Sequence, residues 1–286
     1  MKHIYRTLLL VSLLFPWQGA TAQELHGHLG STSVAEELKI ISFNIRYNSR
    51  DNIDGENGWP NRRDAVARMI NEERPAAIGL QEALIDQLEY LDKALPAYRR
   101  VGVGRDDGDK KGEFMAIYYD TTRLELLYGG TRWLSDTPHI PSLGWDAACR
   151  RTATVAIFYD RQSKNWFYYI NTHLDHVGKT ARAEGAKYIA SLVPADAAVI
   201  VGGDMNSTVE DTIFQNLYNI GLQSARELTS RTSHADTYNA FGKGKGSLID
   251  HFFVRDVKVQ QFRTLDGDYG VPYISDHYPI EMVIKL

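Results

Sequence analysis

From residue 38 onward the chain alternates short apolar runs with polar, glycine-rich stretches. LKIISFNIRY at 38–47 reads as a strand, and SRDNIDGENGWPN at 49–61 as a loop. Asn61 is placed to cap a helix over 62–73, with Val66, Met69 and Ile70 on one face and Pro75 ending it. A short buried strand at 76–82 and a helix at 85–94 follow. Strands are expected at 112–120, 151–160 and 165–175, the last two joined by a hairpin turn. A helix at 179–193, a fully buried strand at 197–206, a helix at 210–220 and strands at 247–254 and 280–284 complete the series. Hairpins and crossovers are mixed, which excludes a purely parallel barrel and predicts one layered α/β domain over 37–286.

The first residues have another pattern. Lys2 and Arg6 precede an apolar run at 8–15, and Ala20-Thr21-Ala22 fits a cleavage site. Residues 1–22 are expected to be a signal peptide and 23–36 a flexible lead-in, so the protein would be exported, to the periplasm or beyond the cell. The run is too short to span a bilayer, and no second one follows, so no stable membrane insertion is expected. The 286 residues include 43% hydrophobic positions and carry a net charge of −4. No basic tract offers a broad cationic face to duplex nucleic acid. Cys149 is the one cysteine, so there is no internal disulfide, and its expected role is a small, half-buried side chain.

Chemistry gathers where strands end. Asn44 lies in SFNIRY, Glu82 in GLQEAL, His173 and Asp175 in NTHLDH, Asp204 and Asn206 in GGDMNS, and Asp250 in SLIDHFFV; Asp276 and His277 open the final strand. Residues two apart share a strand face, so His173 can point with Asp175, and Asp204 with Asn206. Each alone is ordinary: an Asn as a satisfied amide, a His as a structural residue, Asp-x-Asn as a turn. Together they suit a phosphate site. Carboxylates and an amide oxygen fit a hard cation such as Mg²⁺ or Mn²⁺, while imidazoles and an amide donate to phosphoryl oxygens. Ser275, Asp276 and His277 cannot form a relay, because neighbours on a strand face opposite ways. His173 and His176 do not make a zinc motif. GKGKGS at 242–247 is not a P-loop, since no helix follows it, and reads as a mobile loop. The sequon at Asn206 is set aside because Asn206 belongs to the polar strand ends.

The ordered series FNIR, QE, GEF, NTHLD, GDMN, IDH and SDHYP, spread over 38–286, resembles the endonuclease/exonuclease/phosphatase superfamily with its DNase I-like fold. The resemblance implies a four-layer sandwich, two mixed β-sheets face to face with helices outside, and hydrolysis of a phosphodiester or phosphomonoester by in-line attack of water. It implies that Glu82 is the principal metal ligand, with Asn44 and Asp276 beside it. It makes His277 the catalytic histidine, oriented by Asp250, and His173 the second histidine, braced by Glu113. Asp204 and Asn206 would orient the water and hold phosphoryl oxygens, with Arg151 on the phosphate. Departures bear on substrate. Ala83, Leu84 and Ile85 stand where duplex-DNA nucleases carry a basic reader, and Val201-Gly202 stands where phosphoinositide phosphatases carry a Trp. A small molecule, or a sugar or lipid head group, is therefore favoured over duplex DNA, with a secreted nuclease as the alternative and a non-catalytic phosphate binder behind it. Trp59, Trp133 and Trp145, in the loops at 49–61 and 132–149, are candidates to line a pocket.

Overall fold

The structure is a computed structural model and describes residues 37–286; the signal peptide and lead-in expected from the sequence lie outside the described residues. The strands are β1 Leu38–Asn44, β2 Ala77–Gln81, β3 Tyr98–Val101, β4 Ile117–Asp120, β5 Leu124–Trp133, β6 Thr152–Asp160, β7 Trp166–His173, β8 Ala198–Asp204, β9 Gln223–Ser224, β10 Asp250–Arg255, β11 Lys258–Thr264 and β12 Ile280–Lys285. The helices are α1 Trp59–Glu73, α2 Ile85–Ala94, α3 Lys179–Ser191 and α4 Gln215–Asn219. One six-stranded sheet has the order β11-β12-β1-β2-β4-β3 and the other β5-β6-β7-β8-β10-β9. Both are mixed: β1 runs parallel to β2 and antiparallel to β12, and β7 runs parallel to β8 and antiparallel to β6.

The period-two pattern explains the layers. On β1, Leu38 and Ile40 enter a core shared with Phe167, Tyr169, Ile200 and Phe252 of the second sheet. Ile41 and Phe43 face the other way, onto Val66, Met69, Leu88 and Leu91 of α1 and α2. On the second sheet, Ile170, Val199, Val201 and Phe253 face Ile189 of α3 and Leu217 of α4. The result is helix, sheet, sheet, helix, as expected. No helix among the described residues is long and apolar enough to cross a membrane.

Toward one end the seam between the sheets turns polar while staying buried. Gln81 Nε2 donates to Asn171 Oδ1 at 2.7 Å and to Ser42 Oγ at 3.0 Å. Asn171 Nδ2 donates to the carbonyls of Leu80 and Ala116, each at 2.9 Å, and Tyr169 Oη donates to Ile41 O at 3.0 Å. Gly79 makes this possible, since a Cβ there would lie 2.4 Å from Tyr169 Oη. These bonds lock the register of one sheet against the other, and groups left without partners here would cost more than an apolar seam. The same faces continue outward to Asn44, His173, Asp204 and Asp250, so the pleat delivers all four to one edge of the sandwich.

The structure differs from the sequence reading at several points. α1 begins at Trp59 with Gly58 as N-cap and Pro60 in its first turn, so Asn61 is not the cap. The strand expected at 112–120 is regular only from Ile117, and the helix expected at 210–220 is a 3₁₀ turn at Thr212–Phe214 followed by α4. β3, β5, β9 and β11 were not expected.

His251, on the outer face of β10, gives a stability prediction. It packs edge-on against Phe214, with ring centroids 5.8 Å apart, and its Nε2 donates to Ser207 O at 2.9 Å. Burial holds its pKa down to about 4, against the pull of the Ser207 bond. The unfolded chain takes up this proton near pH 6.5, well before the folded one does. Folding stability therefore falls as pH drops from about 6.5 toward 4, by roughly 2.5 kcal/mol between pH 7 and pH 4.5. Urea denaturation of wild type and His251→Leu at both pH values should show that extra acid sensitivity in the wild type alone.

Candidate active site

The ends of β1, β2, β7 and β8 and the loops that precede β4, β6, β10 and β12 converge on a cavity of about 620 Å³. Glu82 follows β2 with a left-handed backbone (φ 61°), and Asn206 follows β8 with φ 48°. Such conformations cost a non-glycine residue of order 1 kcal/mol or more, and here they turn both side chains into the cavity. Asn44 Nδ2 lies 3.0 Å from both Glu82 Oε1 and Asp204 Oδ2. Asn44 Oδ1 accepts from the Arg46 amide at 3.0 Å, and Glu82 Oε2 accepts from the Tyr47 amide at 3.2 Å. Ser275 Oγ donates to Asn44 O at 2.7 Å, tying the loop that carries Asp276 to β1.

His277 is held between two acids. Its Nδ1 lies 2.9 Å from Asp250 Oδ2, and its Nε2 lies 3.6 Å from Asp204 Oδ2. Burial opposes charge on this ring, but Asp250 and Asp204 outweigh it and push the pKa up to about 10. The ring is thus an imidazolium at neutral pH, a donor already carrying its proton. Asp204 is pushed up to about 7 by burial, against the pull of His277. Tyr238 packs edge-on against the ring, with centroids 5.1 Å apart, and Asn239 N donates to Asp276 O at 2.7 Å.

His173 is treated oppositely. Burial lowers its pKa, as do Arg151, Arg105, His277 and His176, so it is neutral. Asn206 Nδ2 donates to His173 Nε2 and to Leu174 O, both at 3.0 Å, which leaves the proton on Nδ1, without a partner among the described residues. Glu113 does not brace this ring. Its Oε2 accepts from Arg105 Nη1 at 2.6 Å instead. Asp175 does not point with His173 either, because β7 ends at His173 and the chain then turns. The Asp175 carboxylate accepts from the amides of Ala148, Val177 and Gly178 and from Arg151 Nε at 3.2 Å. Despite burial, those amides and Arg151 hold its pKa well below the usual carboxylate range. It therefore anchors Arg151, which lines the cavity.

Residues 41–277 match the sequence model of the Endonuclease/Exonuclease/phosphatase family. The chain belongs to this family. Solved structures agree. The endonuclease/exonuclease/phosphatase from Bacteroides vulgatus is 31% identical, superposes with a TM-score of 0.83, and the match covers 88% of this chain and 99% of that one. The mannosyl-6-phosphatase of Bacteroides thetaiotaomicron is 30% identical with a TM-score of 0.81, covering 87% and 100%. An uncharacterized protein of Acanthamoeba polyphaga mimivirus is 24% identical over 270 residues, covering 87% of this chain and 100% of that protein. The DNase I-like fold and a phosphoester-hydrolysing family are thus established together.

For an endonuclease/exonuclease/phosphatase family member, the donor set suits a hard divalent cation. Glu82 and Asp204 bring carboxylate oxygens to a single point at Asn44. Asp276 is a buried carboxyl whose pKa is raised by burial and by the charge of Glu82, against the pull of His277. A cation would relieve that crowding. Asn44 turns its NH₂, not its oxygen, toward the two carboxylates, so here it bridges them and Asn44 would ligate only after an amide flip. Asp204, Asp250 and His277 also lie within 4.8 Å of one another, but the Asp250–His277 hydrogen bond already engages the ring.

Sequence reasoning missed Arg46, Tyr47, Arg105, Tyr238 and Arg62. Arg46 pairs with Asp54 at 3.1 Å and lies 3.8 Å from Asp276. Arg62, buried behind β1, donates to the carbonyls of Ile45, Arg46, Asn57 and Ile274, holding both loops that frame the site. In the sequence Arg62 stood only as the first residue of the helix expected over 62–73, and nothing there signalled its burial. The three tryptophans do not line the cavity. Trp59 packs under Arg62, Trp133 Nε1 donates to Arg105 O at 2.7 Å, and Trp145 packs on the outer core. Of GKGKGS, only Ser247 reaches it.

Proposed function

We propose that this chain is an exported, divalent-metal-dependent phosphomonoesterase acting on a small polar phosphate, with a sugar phosphate favoured. One observation carries the reading: hard oxygen donors and the Asp204–His277 pair, backed by Asp250 on His277 Nδ1, meet at a cavity of about 620 Å³. That volume suits a small-molecule ligand. The mannosyl-6-phosphatase relative supports a sugar phosphate. Glu82 and Asp276 would hold Mg²⁺ or Mn²⁺, joined by Asn44 after its amide flip. When bound, the ion polarises the phosphoryl oxygens and offsets charge that develops during displacement.

The chain's own groups do the rest. Asp204, near pKa 7, orients the attacking water and accepts its proton. His277, fixed by Asp250, donates from Nε2 to a phosphoryl oxygen. Arg151, through its unengaged Nη1, and Asn206, on releasing His173 Nε2, hold the remaining phosphoryl oxygens, while neutral His173 positions Asn206. A phosphoester panel with Mg²⁺, Mn²⁺ or EDTA tests the reading. We expect metal-dependent phosphate release from sugar phosphates, abolished by EDTA, and at least about tenfold faster than turnover of a bis-aryl phosphate or duplex DNA. Isolated mature protein should begin at Gln23.

A nuclease is the second reading, favoured by one feature. A cavity of about 670 Å³ bears Arg50, Lys110 and Lys111, and its lining residues Asn48 and Gly112 adjoin Tyr47 and Glu113 of the first. A preference for DNA that falls steeply with salt would support it.

A further inference from the structure

We infer that Glu113 and Arg105 form a hydroxyl-binding pair that selects polyhydroxylated leaving groups, which makes them specificity-determining residues of the cavity. The inference rests on the phosphoesterase reading and concerns the leaving-group side of the same cavity.

Both side chains line the cavity, only 14% and 13% exposed, and pair at 2.6 Å through Glu113 Oε2 and Arg105 Nη1. The pair uses one atom of each. Glu113 Oε1 and Arg105 Nη2 have no partner among the described residues, and Arg105 Nε is buried without one. Beside them Arg151 is anchored through Nε on Asp175 and Nη2 on His176, which leaves Nη1 unengaged. The backbones are fixed as well. Arg105 N donates to Glu113 O at 3.1 Å, Phe114 N donates to Ala83 O at 2.8 Å, and Trp133 Nε1 holds Arg105 O. Such a pair is preorganised, so little ordering is left for binding to do.

The chemistry narrows the ligand. A second phosphate would meet the Glu113 carboxylate, and an amine would meet Arg105 and Arg151. An apolar group would strip water from a carboxylate and a guanidinium and return nothing. Adjacent hydroxyls suit both: one donates to Glu113 Oε1 while another accepts from Arg105 Nη2. Burial pushes the Glu113 carboxyl up to about 7 in spite of Arg105, so its anion gains from a hydroxyl donor.

The test compares kcat/KM for a hexose monophosphate with that for cyclohexylmethyl phosphate, which has a similar skeleton and no hydroxyls. The ratio cancels any common loss of chemistry. In wild type it should be on the order of 100 or more, since sites built to bind hydroxyls reject analogues without them. In Glu113→Leu it should fall at least about tenfold, with a smaller fall in Glu113→Gln. Should the leucine variant fail to fold, Glu113→Gln and Arg105→Met carry the same comparison. A wild-type ratio near one, or a ratio unchanged in all variants whatever their absolute rates, overturns the pair's role and leaves the phosphoesterase reading intact. No turnover of either monoester by wild type overturns both.

Discussion

Replacing His277 with alanine is expected to lower kcat/KM on any substrate by about 10³–10⁴-fold, with folding stability changed far less. The ring is the one side chain here that meets both an orienting acid, Asp250 at 2.9 Å, and the proposed base, Asp204 at 3.6 Å. Removing it takes away a cation aimed at developing phosphoryl charge. It also removes the charge that restrains the Asp204 pKa, so Asp204 binds its proton more tightly and becomes a poorer base at neutral pH. The pH–rate profile should therefore shift as well as drop, with the acid limb moving to higher pH. Asp250→Asn should reproduce part of the loss, because an amide holds the ring but cannot favour its charge. Steady-state kinetics of the two variants over about pH 5–9, which brackets the Asp204 carboxyl at about 7, checks this. His277→Ala with near-wild-type kcat/KM would remove the assigned role.

The second large effect is structural. Gly203→Ala should not yield folded protein. Gly203 has φ 150°, a conformation side-chain-bearing residues avoid, and a Cβ there would lie 1.9 Å from the Thr172 carbonyl. That carbonyl belongs to the neighbouring strand, where Thr172 pairs with Gly203. Backbone on backbone leaves nothing soft to move, so the expected cost exceeds about 4 kcal/mol, a large share of a domain's stability. Soluble expression and the urea midpoint against wild type measure it. A variant that folds with an unchanged midpoint would show that β7 and β8 can separate at this point. The Gly-Gly before Asp204 has two separate causes: Gly203 meets the Thr172 carbonyl, and a Cβ on Gly202 would lie 2.4 Å from the Phe252 ring.

The sequence made the interior legible and the periphery not. β1, β2, β7, β8, β10 and β12 are long apolar runs or regular alternations because both of their faces are covered. The four unexpected strands, β3, β5, β9 and β11, are the four outer edges of the two sheets. Edge strands expose one side, carry charge that discourages pairing with other molecules, and blur their period with bulges. YRRV in β3 and KVQQFRT in β11 show this, with β11 bulged between Val259 and Gln261. In β5 a Gly129-Gly130 pair reads as a turn although it lies mid-strand.

The candidate site divides the same way. Asn44, His173, Asp204 and Asp250 were visible because they end apolar strands, where polarity needs a reason. Glu113 and Asp175 were assigned the wrong contacts because both lie just beyond regular structure, where spacing no longer fixes direction. Arg105 and Tyr238 arrive from loops whose path depends on the rest of the fold, so nothing local in the chain announced them.

β12 pairs with β1, and His277 lies just ahead of β12 in the chain. Two strands far apart in the chain are therefore hydrogen-bonded neighbours. A chain whose β12 had not yet docked on β1 would hold Asn44 and Asp204 without the His277 ring. Closing that part of the sheet and completing the candidate site are thus one folding event.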